Sequence, residues 1–150
     1  MTLRECLSFE SIDELTAYLG ELYNALIEKI DSGSKRLMFA LPPGAGKTTT
    51  LLRLAKRYAQ DNGKRVLFIA YNRAEIEYYT HELSDALPNV RFITLFHLTQ
   101  NDFKDIGESD VVLVDSLGIM ERRQLMGRLK AYSGVVVSSF DPSQDIVGGR

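Results

Sequence analysis

Hydrophobic residues recur at two different spacings along this chain, and the change in spacing separates a leading helix from the rest. Near the start they stand three or four positions apart, which is typical of one face of an amphipathic helix. These positions are Leu15, Leu19, Leu22, Leu26 and Ile30. Ser11 and Glu14 have the spacing of a capping box. We therefore predict a helix that begins at Ser11 and ends at the turn of residues 31–34.

Five short apolar segments follow, and segments with helical periodicity lie between them. The apolar segments are residues 37–41, 66–70, 90–94, 111–114 and 135–139, and the helical ones are residues 48–60, 74–87 and 117–131. Apolar residues on consecutive positions are typical of strands that are buried on both faces. Alternation of such strands with helices implies parallel crossovers. The pattern predicts a three-layer α/β domain with a parallel sheet of about five strands.

Composition and charge restrict the classes of protein to which the chain can belong. Its 150 residues suit one domain, and 45% hydrophobic with 25% charged residues is the profile of a folded protein. With a formal net charge of −2, contact with nucleic acid would need a local basic patch. Cys6 is the only cysteine, and we find neither a membrane span nor a signal peptide. We expect a cytoplasmic protein without membrane contact.

A glycine-rich loop joins the first predicted strand to the helix after it. It consists of Pro42, Pro43, Gly44, Ala45, Gly46, Lys47, Thr48 and Thr49. This is the phosphate-loop signature Gly-x-x-x-x-Gly-Lys-Thr, with Leu41 at the position of the first glycine. Glycines let backbone amides curve round a phosphate, and the N-terminus of the next helix favours the anion. We predict that residues 43–49 bind ATP, with Lys47 on the β- and γ-phosphates and Thr48 on Mg²⁺.

The fourth predicted strand ends in an acid, Asp115. In phosphate-loop proteins an aspartate at this position holds Mg²⁺, so we predict that Thr48 and Asp115 hold the ion together. Motor ATPases usually carry a glutamate directly after this aspartate, where it polarises the attacking water. Here that residue is Ser116, whose hydroxyl has neither the charge nor the basicity for the task. We therefore expect hydrolysis to be weak in isolation.

Three further segments carry a family resemblance. The last strand leads into a stretch that contains Asp141, Pro142, Gln144, Ile146, Gly148 and Arg150. This stretch resembles motif III of the UvrD/Rep-like superfamily 1 DNA helicases, and residues 66–74 and 94–98 are similar to motifs Ia and Ib. The resemblance implies the first RecA-like motor domain of such a helicase. It also implies that Lys47, Asp115 and Gln144 are catalytic and that Gln144 contacts the γ-phosphate.

The same resemblance implies partners beyond the nucleotide. In the family, motifs Ia and Ib line a track for single-stranded DNA, and the matching residues are Tyr71, Asn72, Arg73, Phe96 and His97. A helicase motor also needs a second RecA-like domain that closes over the nucleotide. The chain stops soon after motif III, so we expect a truncated or degenerate relative that does not unwind DNA by itself. We assign residues 1–34 to an N-terminal helical extension and residues 35–150 to the phosphate-loop core.

Two other functions remain open. Asp115, Ser116 and Leu117 also resemble the end of the second motif of RecA/KaiC-type ATPases, in which the catalytic acid comes from another strand and Glu75 is the nearest candidate. Alternatively the chain is a non-catalytic binding module, in which bound nucleotide controls access to a surface for a partner. A small-molecule kinase is disfavoured, because no arginine-rich lid follows the fourth strand beyond Arg122 and Arg123.

Several side chains are given ordinary structural roles. We expect Phe96 to pack into the core, since large apolar residues after a strand usually point inward. Tyr78 and Tyr79 are expected to pack against their helix. The basic side of the following helix is interpreted first as a solvated face and second as a phosphate-binding patch. It comprises Arg122, Arg123, Arg128 and Lys130.

Overall fold

The computed structural model of the chain describes residues 12–41, 45–70, 73, 74, 77, 78, 81 and 87–141. In chain order its elements are α1 (Ile12–Asp31), β1 (Arg36–Ala40), α2 (Lys47–Lys56), β2 (Val66–Ala70), β3 (Val90–Thr94), α3 (Leu95–Gln100), α4 (Lys104–Gly107), β4 (Val111–Val114), α5 (Ile119–Arg128) and β5 (Val135–Phe140). A π-helical turn, Arg57–Asp61, continues α2. Between β2 and β3, residues 73, 74, 77, 78 and 81 are also helical.

The five strands form one parallel sheet in the order β1-β5-β4-β2-β3. The last strand of the chain, β5, therefore lies between β1 and β4. Ala40 pairs with Phe140, and Val114 pairs with Ser138, so the carboxyl ends of these three strands meet at one edge. The predicted α/β fold with a five-stranded parallel sheet is confirmed.

Helices cover both faces of the sheet because its strands are apolar on both faces. Every residue of β2 and β4 is buried. Successive residues of a strand point to opposite faces, so Phe68 enters one cluster while Leu67 and Ile69 enter the other. The first cluster includes α1 and α2, and the second includes α3 and α5. One cluster lies on each face of the sheet, between the strands and the helices that cover that face. These are the three layers that the apolar spacing predicts.

The leading helix is present as expected. Leu26 is buried, and the other apolar positions of its stripe are half-buried against the first cluster: Leu15, Leu19, Leu22 and Ile30. The capping residue Ser11 lies outside the described residues. Across the described part of the chain, none of the helices is both long and apolar enough to cross a membrane.

The segment after β3 differs from the expectation. Thr94 begins a helix there, because its side-chain oxygen accepts a hydrogen bond from the His97 amide. Leu95 and Leu98 supply the buried side of α3, and Phe96 is left 67% exposed. The prediction that Phe96 packs into the core is therefore wrong.

Three other expectations about helices need correction. Tyr78 is 65% exposed rather than packed, and Tyr79 lies outside the described residues. The predicted helix of residues 74–87 does not reach Leu87, which is non-helical and buried in the first cluster. Arg122 is buried on α5, so it does not belong to the solvated basic face, whereas Arg123 is exposed as expected.

Arg36, the first residue of β1, binds the segment between α5 and β5. Its guanidinium donates to the carbonyl oxygens of Leu129 at 3.1 Å, Gly134 at 2.6 Å and Tyr132. Its Cζ also lies 5.7 Å from the centroid of the Tyr132 ring. The last carbonyls of a helix have no partner within the helix, so a forked cation is favourable here. This contact joins β1 to the connection between α5 and β5.

We predict that Arg36→Lys lowers the free energy of unfolding by about 1–2 kcal/mol, because one ammonium cannot reach the carbonyls that the planar guanidinium joins. Urea unfolding followed by circular dichroism measures this change. The matched control is Arg123→Lys, an exposed arginine of α5, which should stay within about 0.5 kcal/mol of wild type. Equal stability of the two variants would show that the Arg36 contacts are not stabilising.

Candidate nucleotide-binding site

The phosphate loop connects the end of β1 to the start of α2. Leu41 is buried, and its amide donates to the Phe140 carbonyl at 3.3 Å, which extends the pairing of β1 with β5 by one residue. Gly46 precedes α2 with φ at 105°, a left-handed conformation that favours glycine. Ala45 is buried and Thr49 is exposed, whereas the predicted residues Pro43 and Gly44 lie outside the described residues.

Thr48 and Asp115 are in direct contact. The Thr48 hydroxyl, in the first turn of α2, donates to Asp115 Oδ2 at 2.6 Å. Asp115 follows β4 and is 2% exposed, and its amide donates to the Ile69 carbonyl of β2 at 2.9 Å. The structure thus brings together the two residues that were predicted to hold Mg²⁺, although 67 positions separate them along the chain.

Lys47 lies beside this pair, at the start of α2. Its side chain is buried, and Nζ donates to the Leu41 carbonyl oxygen at 3.0 Å. Burying an ammonium is costly unless it is hydrogen-bonded, and this contact meets part of that requirement. The lysine side chain therefore bends back toward the end of β1.

A small network of hydroxyls surrounds the other oxygen of Asp115. Oδ1 accepts hydrogen bonds from Ser139 Oγ and from Ser116 Oγ, each at 3.1 Å. Ser139 Oγ also accepts the Ser116 amide at 3.1 Å. Ser116 itself has φ at 50°, which is uncommon for a residue with a side chain. The carboxylate is therefore held in one orientation, with Oδ2 left to face Thr48.

Ser139 was not singled out from the sequence. It is completely buried at the carboxyl end of β5, beside the equally buried Ser138. The only signal in the sequence is the change from valine to serine near the end of that strand. Its function in the network depends on the position of β5 next to β4, which the sequence pattern does not reveal.

The predicted nucleic-acid residues are described only in part. Phe96 and His97 lie together on α3, with ring centroids 5.8 Å apart, and His97 Nδ1 is 3.1 Å from the Thr94 hydroxyl. Arg73 is exposed and pairs with Glu77 at 3.2 Å. Tyr71, Asn72 and Gln144 lie outside the described residues, as does Glu75 of the RecA/KaiC alternative.

Arg122 approaches the same edge of the sheet from α5. It is 9% exposed, and its Cζ lies 5.0 Å from the centroid of the Phe140 ring. Phe140 is the last residue of β5 and precedes the buried Asp141. An arginine predicted to be solvated is thus part of the packing directly behind the candidate site.

The two adjacent serines of β5 provide a matched test of the hydroxyl network. Ser139→Ala should lower the free energy of unfolding by about 1–3 kcal/mol, because it removes a partner from buried polar groups of Asp115 and Ser116. Ser138→Ala should leave stability unchanged or increase it, since the buried Ser138 hydroxyl has no hydrogen-bond partner in the described structure. Chemical unfolding of both variants measures the difference, and equal losses would contradict the network.

Comparison with known proteins identifies the class of this domain. A family model described as "Type III restriction enzyme, res subunit" matches residues 13–137, a span that includes α1 after Ile12, the phosphate loop and Asp115. A search of the curated proteins found no match. The family match supports a helicase-like phosphate-loop domain of superfamily 1 or 2, and it does not single out the UvrD/Rep group. The chain belongs to the family of the type III restriction enzyme res subunit.

Proposed function

We propose that this helicase-like domain binds ATP with Mg²⁺ and acts as the first motor domain of a UvrD-like ATPase. The observation that carries the proposal is the contact between Thr48 and Asp115 beside the buried Lys47. Residues from β1, α2 and β4 converge on one edge of a parallel sheet. Ligands of open α/β sheets bind outside the carboxyl ends of the strands.

The residues present fit a magnesium ion. Thr48 and Asp115 offer a hydroxyl and a carboxylate, and Mg²⁺ prefers hard oxygen ligands. Their oxygens are 2.6 Å apart across one hydrogen bond, so a modest side-chain movement would open a position between them. The two serine hydroxyls on Oδ1 keep the carboxylate aimed at that position. When bound, the ion would offset the charge of the triphosphate.

Lys47 and the start of α2 would receive the phosphates. A lysine side chain is long and flexible, so Nζ could exchange the Leu41 carbonyl for a more strongly attracting phosphate oxygen. The free amides at the start of α2 would point toward a bound phosphate. The left-handed Gly46 lets the backbone turn there. Residues 43–49 would form the remaining cradle, with Gln144 as a further contact to the γ-phosphate.

Hydrolysis in isolation would be weak. Ser116 stands where a water-activating glutamate is expected, and its hydroxyl is directed at Asp115 rather than at open space. A second RecA-like domain or a partner protein would supply the remaining groups that stabilise the transition state. If no partner supplies them, the chain is a nucleotide-dependent binding module, and Ser116 is the observation that favours this second candidate.

The proposed function also includes contact with single-stranded DNA. The exposed Phe96 and its neighbour His97 lie just after β3. Like the phosphate loop after β1, they lie at the carboxyl end of the parallel sheet, and β1 and β3 are its two outer strands. Bases stack on exposed aromatic rings with little dependence on sequence. Tyr71, Asn72 and Arg73 would extend this track along the end of β2.

Titration calorimetry with ATP and Mg²⁺ tests nucleotide binding. We expect Lys47→Ala to abolish or strongly weaken binding, because the charge that meets the phosphates is removed. The matched control is Lys56→Ala, which removes an exposed lysine from the other end of α2 and should bind as wild type does. Failure of wild type to bind ATP, or unchanged binding by Lys47→Ala, would refute the proposal.

Substitution of Ser116 tests the cause of weak turnover. If the water-activating group is the defect, Ser116→Glu should raise phosphate release by about tenfold or more, whereas Ser116→Gln, which lacks the carboxylate, should not. Phosphate release is measured with and without single-stranded DNA. No gain with glutamate would attribute the slow turnover to the second domain instead.

A further inference from the structure

The leading helix touches the phosphate loop directly. A Cβ atom built on Gly46 would lie 2.7 Å from Leu19 Cδ1 and 3.2 Å from Leu19 Cδ2. Side chains do not approach a real Cβ so closely, so the leucine occupies the space beside the Gly46 Cα. The branched end of Leu19 therefore packs on the residue immediately before Lys47.

A second contact joins the same two helices one turn further along α1. The Arg53 guanidinium of α2 lies over the Tyr23 ring, with Cζ 4.0 Å from the ring centroid. A cation over an aromatic face at this distance is attractive. Leu26, one turn later, is buried in the cluster that contains Leu51 and Leu54 of α2. The helix α1 is thus fastened to α2 from Gly46 onward.

Gly46 is the N-cap residue at which α2 begins. It is left-handed, and a glycine has no side chain with which to cap the helix. Its carbonyl accepts the amide and the hydroxyl of Thr50, each at 2.9 Å, so its orientation sets the first turn of α2. Glycine is also the residue that loses most conformational freedom on ordering. A packed side chain from α1 supplies the restraint that glycine lacks.

We propose that Leu19 is a positioning residue of the nucleotide site, which holds Gly46 and the first turn of α2 in the phosphate-binding conformation before ATP arrives. The inference rests on the proposed function of the phosphate loop and adds α1 to its machinery. A loop ordered in advance loses less conformational entropy when it binds, so affinity rises without a new contact to the ligand. The residues of α1 that do this are outside the phosphate-loop motif.

The test compares Leu19→Ala with Ile30→Ala. Both residues are half-buried on α1 against the same cluster, but Ile30 lies about 16 Å further along the helix axis. In calorimetry with ATP and Mg²⁺, Leu19→Ala should bind about five- to tenfold more weakly than wild type, and Ile30→Ala as wild type. Leu19→Met, which keeps the side-chain volume, should restore most of the affinity.

A second readout needs no nucleotide. Amide hydrogen exchange of a peptide spanning Gly46–Thr50 should be faster in Leu19→Ala than in wild type, and unchanged in Ile30→Ala. If an alanine variant does not fold, Leu19→Val and Ile30→Val make the same comparison with a smaller loss of volume.

The possible results separate the two proposals. Absence of ATP binding by wild type, or binding that survives in Lys47→Ala, would overturn the proposed function. Suppose that ATP binding depends on Lys47, but Leu19→Ala shows wild-type affinity and wild-type amide hydrogen exchange. That result would overturn the positioning role alone. Equal losses in Leu19→Ala and Ile30→Ala would also overturn it, because they would indicate general destabilisation of α1.

Discussion

The position of β5 between β1 and β4 is the constraint on which the candidate site depends. Neighbouring strands lie about 4.8 Å apart, so the strand that enters the phosphate loop and the strand that ends in Asp115 are about 10 Å apart. Side chains bridge this separation: Thr48 reaches Asp115 from α2, and Ser139 reaches the same carboxylate from the end of β5. Without the intervening strand, neither the spacing nor the hydroxyl network would exist.

The fold was predictable because burial determines the apolar spacing of each element. The strands at residues 66–70, 90–94 and 111–114 have the predicted limits, and the stripe of α1 packs as its spacing indicates. Order within the sheet was not predictable, since an apolar run reports that a strand is buried and not which strand is its neighbour. The six-residue helix α3 was missed because so short a segment has no clear period. Its cap, Thr94, is the only local signal.

Errors at single residues have a similar origin. The hydrophobicity of Phe96 and Tyr78 suggested burial, but the neighbouring residues of each helix determine which way a side chain points. For Phe96 those neighbours are Leu95 and Leu98, which take the inward side of α3. Arg122 was misjudged for the opposite reason, because a long cationic side chain can pack over an aromatic ring.

The site itself was predictable where a motif specifies chemistry, and not where it depends on contacts between distant elements. The motifs identified Lys47, Thr48 and Asp115, and the structure brings these residues together. Ser139 and Leu19 carry no motif, and their proximity to Asp115 and Gly46 follows from the packing of β5 and α1. Gly46 and Asp115 are thus each contacted by a residue more than 20 positions away in the sequence.

A crystal structure with Mg²⁺ and a non-hydrolysable ATP analogue would show whether Thr48, Asp115 and Lys47 hold the nucleotide together, through the distances from the ion and from Lys47 Nζ. We expect Mg²⁺ at about 2.1 Å from Thr48 Oγ1, with Asp115 beside it. We also expect that Lys47 Nζ has left the Leu41 carbonyl for a phosphate oxygen. A nucleotide bound elsewhere, with Thr48 still hydrogen-bonded to Asp115 and Lys47 to Leu41, would contradict the proposed site.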